Sequence, residues 1–108
     1  MKEINNIQDY QKIIKTDRPV LLDFYASWCG PCMALLPTVE ELAKEYVGQV
    51  EIAKVNVDRN SSLAAEFQVR SIPALFFIKD GQVVNNLVGL QSKQTLINEL
   101  DAMVEVSV

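Results

Sequence analysis

Histidine is absent from this 108-residue chain. That excludes Ser-His-Asp and Cys-His catalysis and every histidine-ligated metal site. Only two cysteines are present, too few for a disulfide framework or a four-thiolate zinc site. Glycine and proline are sparse, four of each, and no repeat, linker or low-complexity tract interrupts the chain. A basic run is missing too. Ten Lys and Arg stand against fourteen Asp and Glu, a net charge of −4, which disfavours binding to phosphate backbones or anionic membranes. Apolar runs reach only about five to seven residues, against the ~20 that span a bilayer. Met1 to Lys15 mixes charged and amide residues with isolated apolar ones and lacks the apolar core of a secretory signal. The expected address is therefore the cytoplasm. In a reducing compartment a structural disulfide is unexpected, and a close cysteine pair points to catalysis or metal binding.

What is present is an apolar content of 49% in a length suited to one domain, residues 1–108. Such a chain buries roughly 60–70% of its unfolded surface and needs no metal or disulfide staple. Ile7, Tyr10, Ile13 and Ile14 are spaced for a short amphipathic helix, which should end before Arg18-Pro19. Val20 to Ala26 is a near-continuous apolar run and predicts a central strand. A long helix is expected over about 31–46, with Leu35, Leu36, Val39, Leu42, Ala43 and Tyr46 on one side and a kink at Pro37. A second strand is predicted over 50–57, a short helix over 61–67 and a third strand over 74–78. Asp80-Gly81 supplies a two-residue hairpin turn into a strand over 82–88. Ser92 is placed to cap a last helix carrying Leu96, Ile97, Leu100, Met103 and Val104.

The alternation predicts an α/β fold. Its mixed sheet should be mostly parallel, with an antiparallel C-terminal hairpin, and covered by helices on both faces. Ile4 alone does not decide whether an extra edge strand precedes the first helix. The tail Val104 to Val108 alternates like a strand, but its terminal position predicts fraying.

The chemistry lies at Trp28-Cys29-Gly30-Pro31-Cys32, between the first buried strand and the long helix. Pro31 suits the first helical position. Cys29 then meets unpaired backbone N–H groups and the positive end of the helix dipole, both of which favour its thiolate. Cys32, one turn further on, is less exposed and placed to attack the sulfur of Cys29. Three other readings compete. A structural disulfide over this short loop would contribute about 2 kcal/mol. A zinc knuckle would need a second pair of ligands that the chain lacks, which leaves only a zinc or iron–sulfur site shared between two chains. Two inert core cysteines would not call for Gly30-Pro31 at a helix start. The context favours a redox pair, with no metal and no bound cofactor, and no dinucleotide fingerprint is present.

The stretch Asp23 to Cys32 resembles the active-site segment of the thioredoxin family. Ala53 to Asp58, Val69 to Leu75, and Lys79-Asp80-Gly81 followed by Val88-Gly89 resemble further signature stretches of that family, in the same order. The resemblance implies the thioredoxin fold, a central mixed sheet flanked by four helices. It also implies disulfide reduction in client proteins as part of cell redox homeostasis, with recycling by an NADPH-dependent thioredoxin reductase; a monomer is expected. An oxidase or isomerase member, or a binding or chaperone subunit, is the alternative. For thioredoxins the attacking thiol is known to have a pKa of about 7, which leaves about half of it ionised at neutral pH.

Asp23 is an acid within an apolar strand, where burial raises its pKa toward neutrality; an edge position in water is the other reading. By resemblance it takes the proton from Cys32. Lys54 matches the family lysine near that acid, and a solvated strand lysine fits equally. Pro73 opens a strand; the resemblance implies a cis Ile72-Pro73 bond against the cysteines, with Ile72 pairing to substrate backbone. Trp28, Ile72, Gly89 and Leu90 would complete an apolar patch around Cys29.

Four positions depart from the family pattern. Ser71, Ala74 and Tyr25 replace a common glycine, threonine and tryptophan. Met33 stands where Lys or Arg usually follows the second cysteine, so one nearby cation is missing. Met33→Lys should therefore lower the Cys29 pKa by a few tenths of a unit, the scale of one exposed charge interaction. Thiolate titration in the ultraviolet checks this, and an unmoved midpoint contradicts it.

Overall fold

The apolar runs become strands and the amphipathic stretches become the helices that cover them. The computed structural model describes residues 1–105. In chain order the elements are β1 (Lys2–Ile4), α1 (Ile7–Ile14), β2 (Val20–Tyr25), α2 (Gly30–Glu45), β3 (Glu51–Asn56), α3 (Ser61–Glu66), β4 (Ala74–Lys79), β5 (Gln82–Val88) and α4 (Lys93–Glu105). The sheet order is β1-β3-β2-β4-β5. Strands β2 and β4, in the middle of the sheet, are apolar on both faces except for Asp23 and Lys79.

Alternation along the strands divides the core. Leu22, Phe24, Ala53, Val55, Phe76 and Ile78 meet Ile13 of α1 and Leu63 and Ala64 of α3. Leu21, Ile52, Leu75 and Phe77 meet Leu35, Val39 and Leu42 of α2 and Leu96 and Leu100 of α4. Most of these side chains are fully buried, each Val, Leu, Ile or Phe contributing about 1.5–3 kcal/mol of hydrophobic transfer energy. Asp23 shares the parity of Leu21 and Tyr25, so it lies on the α2 side of the sheet.

The expected mixed sheet is present, with less parallel pairing than the alternation suggests. β1 and β2 pair with β3 in parallel, whereas β4 is antiparallel to both β2 and β5. Helix length accounts for this. The 16 residues of α2 rise about 24 Å, enough to carry the chain back along a strand of about 20 Å. The six residues of α3 rise only about 9 Å. The chain therefore re-enters the sheet at the end it left, and β4 runs back against β2. As a result the ends of β2, β3 and β5 and the start of β4 all meet at one edge.

Smaller expectations resolve as follows. A short edge strand does form at Lys2–Ile4. Pro31 occupies the second helical position, because Gly30 opens α2. The helix continues through Pro37 to Glu45. Asp80 and Gly81 both have positive φ, 54° and 76°, the backbone that a two-residue hairpin turn requires. Ser92 caps α4, its Oγ accepting from the Thr95 N–H at 3.1 Å. The predicted fraying does not begin at Val104, since α4 extends through Glu105; residues 106–108 lie outside the described residues. No helix among the described residues is long and apolar enough to cross a membrane.

Candidate active site

Leaving β2, the chain turns at Ala26-Ser27-Trp28, closed by the Cys29 N–H donating to the Ala26 carbonyl at 3.1 Å. Cys29 is the N-cap of α2, with extended backbone at φ −89° and ψ 111°. Its Sγ accepts the backbone N–H of Cys32 at 3.3 Å. A helix start has several N–H groups without intrahelical partners, and here one of them is directed at sulfur. Cys29 and Cys32 are joined as a disulfide, their Cα atoms 5.3 Å apart. Cys32 is wholly buried, whereas Cys29 keeps 6% of its surface exposed.

The other loops at this edge of the sheet enclose the pair. Cys29 Sγ lies 3.9 Å from the Ile72 carbonyl oxygen, and the Ile72-Pro73 bond is cis. Ile72 is half-buried and Pro73 buried; Ile72 packs with Cys29, Cys32, Tyr25 and Leu36. The Gly89 N–H donates to the Pro73 carbonyl at 2.8 Å, which ties the end of β5 to the start of β4. Leu90 follows Gly89 and is exposed; it is at this rim through its chain neighbour. Trp28 is 71% exposed, yet its indole Nε1 donates to Asp58 Oδ2 at 2.8 Å. Asn56 holds that loop in turn, its Oδ1 accepting from the Asp58 and Arg59 N–H groups.

Asp23 is fully buried, and neither of its carboxylate oxygens has a hydrogen-bond partner among the described residues. Burial pushes its carboxyl up from 3.8 to about 7, and the charge of Lys54 opposes that rise. Lys54 is the register partner of Asp23 on β3. It is only half-buried, and its Nζ lies over the Tyr25 ring, 5.7 Å from the centroid. The parity of Asp23 places it between Leu21, which packs with Leu35 and Val39, and Tyr25, which packs with Cys32 and Leu36. The acid is thus on the strand beneath the α2 turn that holds Cys32. No group of three or more metal-ligating side chains occurs among the described residues.

A family model for thioredoxin matches residues 2–102. The chain belongs to the thioredoxin family. It is 48% identical to thioredoxin 1 of Synechococcus elongatus over 91 residues, 84% of this chain and 85% of that protein. It is also 48% identical to thioredoxin of Haemophilus influenzae over 101 residues, 91% and 94% of the two chains. Among solved structures, a Fasciola hepatica thioredoxin superposes with a TM-score of 0.88 at 38% identity, covering 95% of this chain and 99% of that one. A mutant thioredoxin from Halobacterium salinarum reaches 0.92 at 34% identity, covering 99% and 93%. Thioredoxins are protein-disulfide oxidoreductases, and this chain carries the thioredoxin redox pair as Cys29-Gly30-Pro31-Cys32. Its function is disulfide reduction, and the thioredoxin family implies disulfide substrates and a thioredoxin reductase as partners.

Three side chains around the thioredoxin site were not singled out as site residues by the sequence reading: Asp58, Tyr25 as a hydrogen-bond donor, and Glu3. Asp58 lies two residues beyond β3 and Trp28 three beyond β2, at the edge where those paired strands both end. Tyr25 donates to Glu3 Oε2 at 2.6 Å, a contact across two strand positions that no local pattern signals.

The setting of Asp23 has a consequence for stability. A carboxyl with a folded pKa near 7 binds more protons folded than unfolded between about pH 4 and 7. Raising the pH through that window destabilises the protein, by an amount on the order of a few kcal/mol above pH 7. Asp23→Asn should remove this slope and unfold at higher denaturant than the parent at pH 8, with a smaller difference at pH 5. Denaturant curves of the oxidised protein at the two pH values check this; parallel pH dependences in parent and variant contradict it.

Proposed function

We propose that Cys29 is the attacking thiolate, Cys32 the resolving thiol and Asp23 the proton acceptor that activates Cys32. The supporting observation is the sulfur at the helix N-cap. Cys29 Sγ receives a backbone N–H and the Cys29 residue keeps some exposure, while Cys32 has none. Cys29 thiolate attacks one sulfur of a client disulfide, that S–S bond breaks, and the other client sulfur leaves as thiolate. Cys32 then passes its proton to the Asp23 carboxylate and attacks Cys29 Sγ. The mixed disulfide breaks, the second client thiolate departs, and Cys29–Cys32 is left oxidised. The client gains two electrons, and its two thiolates take two protons from solvent. Asp23 returns its proton when the pair is reduced again.

Lys54 opposes the rise in the Asp23 pKa through its charge. Trp28, Ile72, Pro73, Gly89 and Leu90 form the rim on which an extended client segment docks; Gly30 and Pro31 shape the turn between the sulfurs. In this reading the chain acts as a single domain, residues 1–108, and as a cytoplasmic monomer. It needs no bound cofactor of its own and is recycled by an NADPH-dependent thioredoxin reductase.

Division of labour between the sulfurs is testable with a disulfide-bonded protein such as insulin. Cys32→Ser should still attack but accumulate covalent mixed disulfides, visible by non-reducing electrophoresis and lost on adding dithiothreitol. Cys29→Ser should show neither adducts nor turnover. Clean release of reduced client by Cys32→Ser would contradict the assignment.

A further inference from the structure

The strand register places three ionisable side chains in one row. Glu3 on β1 is the partner of Lys54 on β3, and Lys54 is the partner of Asp23 on β2. Register partners project to the same face, and adjacent strands lie about 4.8 Å apart. One cation therefore stands between two carboxylates. The two differ in their surroundings. Asp23 is buried without a hydrogen bond. Glu3 is half-buried on the edge strand and anchored by the Tyr25 hydroxyl at 2.6 Å. Tyr25 lies two residues beyond Asp23 on the same face, so the Tyr25 and Glu3 side chains meet across β3. The Lys54 ammonium rests over that same ring, 5.7 Å from its centroid, a distance at which a cation is attracted to an aromatic face. No carboxylate of a described residue lies within ion-pair distance of the ammonium.

We infer that Glu3 is a positioning residue for the reaction: held by Tyr25, it draws Lys54 away from Asp23 and limits how far that cation stabilises the Asp23 carboxylate. This inference rests on the reading of Asp23 as the proton acceptor for Cys32. An acceptor that kept a close ion pair with Lys54 would be a weak base near neutrality. An acceptor with no cation nearby would be protonated and unable to accept. A carboxylate on the far side of the lysine sets the balance between those extremes. The remaining groups facing the row are few. The Asn56 side chain on β3 and the Arg59 charge in the following loop both oppose the rise in the Tyr25 hydroxyl pKa. The α2 side presents Cys32 and the apolar Leu35, Leu36 and Val39, and β4 presents Leu75.

Glu3→Gln removes the charge yet keeps an oxygen to accept from Tyr25. The Asp23 side-chain carboxyl of the oxidised protein can be titrated by carbon-detected NMR in four forms: parent, Glu3→Gln, Lys54→Gln and the double variant. Glu3→Gln should lower the Asp23 midpoint by at least a few tenths of a unit in the parent. It should lower it by less than half as much once Lys54 is gone. No shift, or an equal shift in both backgrounds, would overturn the inference, the latter because Glu3 would then act directly and not through Lys54. The rate of the resolving step in Asp23→Asn is measured separately. If it matches the parent across pH 6–8, the reading of Asp23 fails, whereas the titration alone decides whether Glu3 governs the Lys54–Asp23 pair.

Discussion

An α-helix must begin with backbone N–H groups that no earlier turn can satisfy, and in this protein a cysteine sulfur takes that place. Cys29 Sγ accepts from the Cys32 N–H, the position at which Ser, Thr or Asp would ordinarily cap a helix. A capping oxygen is chemically inert. In the proposed reaction the capping sulfur, its anion stabilised by the same N–H groups and the same dipole, is the nucleophile. The second cysteine lies one turn along α2 because the disulfide requires its Cα at about 5–6 Å, and one turn of helix carries it below the surface. In the proposed reaction local backbone geometry supplies both the activation and the asymmetry of the pair.

That geometry needs a sheet that brings the other parts to the same edge. The short α3 leaves β4 antiparallel to β2, so Pro73 arrives beside Cys29 and not at the opposite pole. β5 ends there too, and Gly89 fastens to Pro73 through its N–H. Asp23 is the exception to an otherwise apolar interior. Its burial costs stability whenever it is ionised, and that same burial keeps it basic enough to exchange a proton near neutral pH. A buried acid that costs stability when ionised and suits the proposed proton transfer fits the pattern of a catalytic site.

Much of this was legible in the sequence because the relevant signals are local. Apolar runs, helical spacing, the Asp80-Gly81 turn and the Ser92 cap each act over a few residues, and each gives the element expected. The cysteine pair and the buried acid were legible for the same reason: each contrasts with its immediate neighbours. The antiparallel entry of β4 was not legible in the alternation of elements, since it depends on how far α3 rises. Nor was the Glu3–Lys54–Asp23 row, which exists only once β1 and β2 take their register against β3. Ile4 alone carried too little signal to establish that β1 existed, and without β1 there is no Glu3 beside Lys54.

The central claim is that the helix start makes one sulfur of the pair a thiolate within reach of solvent and keeps the other in reserve. Alkylation of the reduced protein by iodoacetamide, with the modified sulfur identified by mass spectrometry across pH 5–9, tests it most directly. The account predicts that Cys29 is modified at least about tenfold faster than Cys32 at pH 7, with a rate midpoint well below the ~8.5 of a free cysteine. Equal rates at the two sulfurs, or a Cys29 midpoint at the free-cysteine value, would contradict it.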